Sequence, residues 1–198
     1  RPVKWTEDRL ENLLGSNHAR EVDCEIELAC ERDGTILALR AEAYVNAGAY
    51  MRTSGAIPPR NVAQFMSGPY RIPNIRVDST VVLSNKAPIG TYRGPGRFEV
   101  DFFRERLIDM VAADLGIDRV EFRRRNLPTE AEMPYPLATL DKPEKHEELD
   151  NGDYCMTLDR CLAEFGWEEK RALQGKLVDG RYHGLGIGCF IEGGGTGP

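Results

Sequence analysis

Residues 21–47 alternate between apolar and polar side chains with a period of two. The first run carries its apolar side chains at Val22, Cys24, Ile26, Leu28 and Cys30. The second run carries them at Leu37, Leu39, Ala41, Ala43 and Val45. Alternation of this kind is typical of strands with one buried face, and Asp33-Gly34 between the runs is typical of a tight turn. We therefore predict a β-hairpin over residues 21–47.

Helical spacing and helix-end signals recur in five segments. We predict helices over residues 6–14, 98–115, 118–126, 153–165 and 168–177. The longest has an apolar face at Val100, Phe103, Leu107, Ile108, Val111 and Leu115. Gly116 is its expected end, and Asp118 is the expected N-cap of the helix that follows. We expect Arg123, Arg124 and Arg125 in that second helix to form a solvated face rather than a binding patch.

The other segments are two strands and two irregular stretches. Residues 76–83 and 182–191 have strand character. Glycines and prolines interrupt residues 48–73, which predicts a long ordered loop or a loop with a short helix. Residues 129–150 are rich in Pro, Glu and Lys and are expected to be a surface excursion.

These elements predict an α+β (mixed α/β) fold, with the hairpin and further strands packed on several helices. We divide the chain into residues 1–127, a first strand and helix portion, and residues 128–198, which hold the excursion, later helices and the start of another strand segment. The chain opens on a strand-like run at residues 1–4 and closes on a glycine-rich run after an apolar strand. We therefore expect a fragment of a longer polypeptide; a small protein with glycine-rich tails is the alternative.

Composition narrows the possible partners. The 198 residues carry a net charge of −6, which disfavours nucleic acid and anionic membranes as partners. No apolar run approaches the roughly 18 residues of a membrane span, so we expect a cytoplasmic protein. The cysteines are odd in number, at positions 24, 30, 155, 161 and 189, and include no Cys-x-x-Cys pair. This pattern predicts reduced, mostly buried thiols. His18, His146 and His183 have no triad or metal-ligand spacing.

The strongest chemical signal is the glycine-punctuated segment 85–99, which carries two arginines between a strand-like and a helix-like run. A loop at such a junction can direct backbone N–H groups and the positive end of a helix dipole toward an anion. Glycines in it allow a close approach to the main chain. The segment therefore predicts a site for an anionic ligand.

Four motifs occur in the order and approximate spacing of one protein family. They are Arg1-Pro2-Val3-Lys4-Trp5 with Glu7-Asp8-Arg9, Tyr70-Arg71-Ile72-Pro73-Asn74, Asn85-Lys86 with Thr91-Tyr92-Arg93-Gly94-Pro95-Gly96-Arg97, and Gly186-Ile187-Gly188 through Ile191-Glu192-Gly193. By these motifs the chain resembles the molybdopterin-binding large subunit of the xanthine dehydrogenase, aldehyde oxidase and carbon monoxide dehydrogenase family. The resemblance covers nearly the whole chain and a middle portion of that much longer subunit.

The resemblance implies a molybdenum hydroxylase that oxidises an aldehyde or an aromatic N-heterocycle. In such enzymes a molybdenum–molybdopterin cofactor adds oxygen from water to an electron-poor carbon, and a glutamate serves as the base. Electrons leave through [2Fe-2S] centres to FAD on partner domains or subunits. The implied partners are the rest of the large subunit, the iron–sulfur and FAD subunits and a small organic substrate, in an oligomeric parent protein.

The resemblance also implies roles for residues of this chain. Tyr92, Arg93, Gly94 and Gly96 fall at positions that face the cofactor. Pro95 falls at a position that faces the substrate in relatives, and Glu192 is expected in a loop near the same pocket or as the cap of a neighbouring turn. The alternative role for Arg93 and Arg97 is to brace the loop by pairing with nearby acidic side chains. For Arg97 the open roles are a second cation near the site and an anchor for Glu99.

Departures from the family pattern limit the expected chemistry. Pro95 replaces the aromatic residue of the xanthine enzymes, and Phe98 stands where many bacterial relatives have proline. Asn61 stands at the approximate position of a substrate-contacting arginine, beside Arg60, so purine hydroxylation is disfavoured.

Two elements of the family have no counterpart in these residues: the upstream glycine-rich loop and the C-terminal loop with the catalytic glutamate. We therefore expect no catalytic residue and no metal ligand in this chain, and we expect that it is inactive alone and binds no cofactor tightly. A non-catalytic scaffold or binding module that keeps the fold is the alternative hypothesis.

Overall fold

The computed structural model describes residues 1–137 and 148–192. Its helices are α1 (Arg9–Gly15), α2 (Ile57–Gln64), α3 (Arg97–Leu115), α4 (Arg119–Asn126), α5 (Tyr154–Phe165) and α6 (Trp167–Arg171), with a 3₁₀ turn at Glu130–Glu132. Its strands are β1 (Val22–Cys30), β2 (Ile36–Asn46), β3 (Asn74–Val82), β4 (Tyr135–Pro136), β5 (Glu148–Leu149), β6 (Leu177–Val178) and β7 (Arg181–Tyr182). The α+β prediction is confirmed.

The predicted hairpin is present and forms two strands of a three-stranded sheet in the order β1-β2-β3. β1 and β2 are antiparallel, and Gly34 at the turn has φ +91°, a left-handed conformation that glycine adopts without strain. An irregularity between Ala29 and Cys30 shifts the register, so that Cys30 pairs with Ile36. This bulge leaves Leu37 exposed rather than on the apolar side where the alternation had placed it.

β3 lies parallel to β2, and the connection between them is the glycine- and proline-rich region 48–73. That region is a loop with one short helix, α2, which confirms the second of the two alternatives predicted for it. A parallel pair requires such a crossover, which places α2 over the sheet. The inner row of β2, formed by Leu39, Ala41, Ala43 and Val45, is buried.

α3 agrees with the predicted helix and ends at Gly116, whose φ is +67°. Its most buried stripe, however, runs through Val100, Arg104, Ile108 and Ala112, and Leu115 is exposed. α4 begins after Asp118, whose side chain accepts hydrogen bonds from the N–H groups of Val120 and Glu121, as expected.

The expectation of a solvated arginine face on α4 is wrong for Arg123, which is fully buried. Its guanidinium forms ion pairs with Glu105 at 3.0 Å and Asp109 at 2.7 Å on α3. Arg124 and Arg125 remain partly exposed, and each faces a carboxylate. A long-range contact, invisible in the local sequence, therefore places the arginine in the core.

The predicted strand at 182–191 is wrong as a sheet element. Beyond the short β7, residues 184–192 form no strand among the residues described. Three alternate carbonyl oxygens, of Leu185, Ile187 and Cys189, instead accept hydrogen bonds from arginine side chains of α3 and α4. The apolar alternation thus belongs to an extended segment that packs on helices.

The remaining predictions of helices and strands agree with the structure only in part. α1 starts later than expected, after an Asp8–Glu11 capping box, and residues 1–4 form no strand. α5 agrees with the prediction, whereas α6 begins and ends earlier than residues 168–177. His146, the glycine-rich run at 193–198 and part of the predicted surface excursion lie outside the described residues. The division after residue 127 stays a prediction.

Candidate functional site

The arginine–glycine loop joins the end of β3 to the start of α3, as the sequence indicated. Its first half is fixed to the end of β2, because Ile89 N–H donates to the Ala47 carbonyl at 3.1 Å and Ala49 N–H donates to the Lys86 carbonyl at 2.9 Å. Gly48 permits this approach: a Cβ there would lie 2.3 Å from the Ala87 carbonyl oxygen. The loop is therefore an ordered extension of the sheet.

Both glycines that follow Arg93 have left-handed backbone conformations, with φ +67° at Gly94 and +76° at Gly96. A Cβ on Gly94 would lie 2.5 Å from the Phe98 ring, and one on Gly96 would lie 2.3 Å from the Pro58 carbonyl oxygen. The left-handed backbone favours glycine at both positions, and at Gly96 the contact with a backbone oxygen also leaves no room for a side chain, independently of any ligand.

The loop is also held against α2 by Asn61. This buried side chain donates from Nδ2 to the Pro95 carbonyl oxygen at 2.8 Å, and its Oδ1 accepts from Arg60. Asn61 thus fixes the backbone of the residue that was expected to face the substrate.

Two arginines of the loop, Arg93 and Arg97, and a third beside it, Arg20, determine its charge, and two of the three are paired with carboxylates. Arg20 pairs with the buried Glu99 at 3.2 Å, and Arg97 pairs with Glu192. The sequence left open that Arg97 anchors Glu99; the structure gives that role to Arg20. Arg93 is exposed and has no hydrogen bond or ion pair from its side chain within residues 1–137 and 148–192.

The Arg97–Glu192 ion pair brings the end of the extended segment onto the loop, so the structure does place Glu192 beside it. The Arg97 guanidinium also lies 4.3 Å from the centre of the Phe65 ring. Its Nε is buried and has no hydrogen-bond partner in the described part of the chain. A buried donor without an acceptor is uncommon and calls for an explanation.

The start of α3 is already partly satisfied from within the chain. The Gly94 carbonyl accepts from the N–H groups of Arg97 at 3.1 Å and Phe98 at 3.5 Å. These two donors, which the loop-to-helix geometry had offered to an anion, are therefore taken. Side-chain cations then become the main means by which this loop can attract a negative group.

A buried network of charges is centred on Glu105, and no local sequence pattern indicates it. The Glu105 carboxylate accepts from Arg104 Nε, Arg123 Nε, the Tyr70 hydroxyl and Cys189 N–H, all within 3.0–3.1 Å. It joins α3, α4 and the extended segment. This network fixes the position from which Glu192 reaches Arg97.

All five cysteines are free, in agreement with the sequence, but four are only half-buried and Cys161 is exposed. Burial raises the pKa of the Cys189 thiol to about 11, with Glu105 adding to the effect. Burial likewise raises the pKa of Cys24 to about 11. Both thiols are therefore protonated at neutral pH and poor nucleophiles.

A half-open groove of about 520 Å³ lies beside the first part of the loop, against α1. Leu13, His18, Lys86 and Ile89 are among its lining residues, and the Lys86 ammonium is paired with Glu21 there. In the portions of the chain described, no three His, Cys, Asp or Glu side chains converge to hold a metal ion. None of the described helices is long and apolar enough to cross a membrane.

The fold and the loop define an α+β domain with a braced arginine–glycine loop at a strand-to-helix junction. The family described as a molybdopterin cofactor-binding domain matches residues 1–127. The chain belongs to this family, which confirms the resemblance found in the motifs.

Individual relatives agree with this assignment. The chain is 38% identical, over 99% of its length, to the 6-hydroxypseudooxynicotine dehydrogenase complex subunit gamma of Paenarthrobacter nicotinovorans. It is 33% identical, over its full length, to the carbon monoxide dehydrogenase large chain of Hydrogenophaga pseudoflava. It spans 25% of each of these relatives.

The solved structure of quinoline 2-oxidoreductase from Pseudomonas putida 86 has a similar fold. It superimposes with a TM-score of 0.77 at 32% identity, over 86% of this chain and 21% of that one.

Proposed function

We propose that this chain forms one wall of the molybdopterin site of a molybdenum-dependent oxidoreductase. In this proposal Tyr92, Arg93, Gly94 and Gly96 face the cofactor, and Pro95 and Glu192 face the substrate pocket. The observation that carries the proposal is the charge arrangement of the loop. Arg97 in the loop and Arg20 beside it are paired with carboxylates, and Arg93 is exposed and unpaired among the described residues.

An unpaired arginine on a fixed backbone suits an anionic cofactor. A guanidinium can bind a phosphate through two parallel hydrogen bonds, and molybdopterin carries a phosphate. The buried Arg97 Nε supplies a second donor that still lacks an acceptor within the described chain. The residues around the loop therefore fit an anionic pterin, whereas no ligand set for the metal itself occurs within residues 1–137 and 148–192.

The cofactor, when bound, supplies a molybdenum centre that transfers oxygen from water to an electron-poor carbon. The residues of this chain bind the cofactor and orient it. Arg93 holds a negative group of the cofactor, and the Arg97–Glu192 pair closes the pocket wall beside it. Because Arg97 engages the Glu192 carboxylate, we assign Glu192 to the wall and not to proton abstraction.

The substrate class that we propose is an aldehyde or an aromatic N-heterocycle. The names of a quinoline 2-oxidoreductase and a nicotine 6-hydroxylase large subunit among the similar proteins support the heterocycle. Relatives named as a complex subunit and a large chain support an oligomeric parent with partner subunits, to which we assign the [2Fe-2S] centres and FAD. Five free cysteines support a reducing compartment, the cytoplasm.

Molybdenum retention in the complete subunit tests the proposal. We expect Arg93→Gln to lower the molybdenum retained per subunit by about tenfold, since hydrogen bonds to charged groups contribute on the order of 1.5–3 kcal/mol. Arg76→Gln is the matched control, because Arg76 is exposed on the outer sheet face and pairs with Asp78. Equal molybdenum in both variants and the wild type would contradict the role of Arg93. A complete subunit without molybdenum or pterin would instead support the scaffold hypothesis.

A further inference from the structure

Arg20 has the backbone conformation of a residue held in place by its surroundings. It lies between α1 and β1 and has φ +72°, in the left-handed region. Residues other than glycine rarely occupy this region, and an arginine has no local hydrogen bond that compensates for it. Strain of this kind persists where surrounding contacts determine the conformation, and it concentrates near functional sites.

The contacts before Arg20 explain how the strain is maintained. His18 N–H donates to the Pro88 carbonyl at 3.1 Å, and the His18 carbonyl accepts from Gly90 N–H at 3.0 Å. The segment before Arg20 therefore lies parallel to the first half of the arginine–glycine loop. The left-handed turn follows at Arg20, immediately before β1.

The Arg20 side chain reaches the second half of the same loop. One guanidinium nitrogen donates to the Arg93 carbonyl oxygen at 2.6 Å, and another lies 3.2 Å from a Glu99 carboxylate oxygen. The guanidinium carbon lies 5.1 Å from the centre of the Tyr92 ring and 4.5 Å from that of Phe98. One side chain thus contacts residues on both sides of Gly94-Pro95-Gly96-Arg97.

We propose that Arg20 is a positioning residue that sets the place of Arg93 in the cofactor site; this inference rests on the proposed function. The Glu99 carboxylate fixes the guanidinium, and the guanidinium fixes the Arg93 carbonyl. No described residue pairs with the Arg93 side chain, which is thus available to bind. Asn61 holds the Pro95 carbonyl from the opposite element, α2. The Arg93 backbone is therefore set by Arg20, whereas the backbone after it is set by Asn61.

The test is a double-variant cycle in the complete subunit with its partners. Molybdenum retained per subunit is measured for Arg20→Gln, Arg93→Gln, the double variant and the Arg76→Gln control, with thermal unfolding as the measure of folding. We expect Arg20→Gln to lose about fivefold in retention, less than the roughly tenfold of Arg93→Gln. It should also unfold below the control, because the buried Glu99 loses its ion-pair partner, so retention is compared at a temperature at which every variant is folded. Because Arg20 acts through Arg93, the double variant retains as much as Arg93→Gln alone.

Each other result overturns the inference in a distinguishable way. Wild-type retention in Arg20→Gln with a loss in Arg93→Gln removes the positioning role and leaves the proposed function. A double-variant loss equal to the product of the single losses shows that the residues act independently. Wild-type retention in Arg93→Gln removes both proposals. If Arg20→Gln does not fold, Arg20→Lys replaces it: lysine keeps the charge but cannot reach both acceptors in the same fork, so unchanged retention in Arg20→Lys overturns the role.

Discussion

Glu105→Gln is the substitution that most sharply tests the buried charge network. The carboxylate is nearly buried and accepts four hydrogen bonds, from Arg104, Arg123, the Tyr70 hydroxyl and the Cys189 N–H. Glutamine has the same shape, but one of its terminal atoms is a donor that would face another donor. The change also deprives two fully buried guanidinium groups, those of Arg104 and Arg123, of a neutralising carboxylate.

The expected loss is about 3 kcal/mol in the free energy of unfolding, the lower end for a buried ion pair that loses one partner. For a chain of this size that loss corresponds to a fall of roughly 6–12 °C in Tm. The assay is thermal unfolding followed by circular dichroism at neutral pH.

Glu121→Gln is the matched control for this measurement. Glu121 also pairs with an arginine of α4, Arg124, but both side chains are solvent-exposed in part. Exposed pairs of this kind contribute about 0–1 kcal/mol, so the control should unfold near the wild-type temperature. A Glu105→Gln variant that unfolds within about 2 °C of Glu121→Gln would refute the view that this carboxylate holds the helices and the extended segment together.

Three further measurements test other parts of the structure. Gly96→Ala should destabilise the folded chain by several kcal/mol, because its Cβ would meet a backbone oxygen of α2 at 2.3 Å. Gly175→Ala, at φ +73° but in open space, should lose only about 1 kcal/mol. Equal losses in urea unfolding would contradict the packing role of Gly96. Asn126→Ala should destabilise by about 2–3 kcal/mol, since its buried amide makes three hydrogen bonds to backbone groups, and a loss below about 0.5 kcal/mol in the same assay would count against it. Labelling with iodoacetamide at pH 8, followed by mass spectrometry, should modify the exposed Cys161 first. Cys189, with its pKa of about 11, has about a hundredfold less thiolate than an ordinary thiol and should react slowly. Faster labelling of Cys189 than of Cys161 would contradict its burial.

Local patterns predicted the elements that depend on local physics. The hairpin follows from a period of two and a turn glycine, and α3, α4 and α5 follow from helical spacing with capping residues. The arginine–glycine loop was recognised from its glycines and arginines at a strand-to-helix junction, and the family resemblance then implied its cofactor.

The errors arose where residues distant in the sequence determine burial or strand pairing. Arg123 is buried because Glu105 and Asp109 on α3 neutralise it, and no signal in α4 itself shows this. Leu37 is exposed because it is the unpaired residue of the bulge in β2, where the pairing with β1 shifts register. The extended segment kept the alternation of a strand, but side chains of α3 and α4 satisfy its alternate carbonyls.

The sequence also missed Arg20. Its contacts with Arg93 and Glu99 span 73 and 79 residues along the chain, and its left-handed backbone has no glycine or asparagine to announce it. The contacts on which its proposed role rests can be found only in the three-dimensional structure.

The central claim is that the arginine–glycine loop forms one wall of a molybdopterin site. The most direct test is a crystal structure of the complete subunit with its cofactor bound. We predict that the Arg93 guanidinium lies within hydrogen-bond distance, about 3 Å, of an oxygen or nitrogen of the cofactor. A cofactor bound with no polar atom near residues 92–97, and with Arg93 paired to a carboxylate of another domain, would contradict the claim.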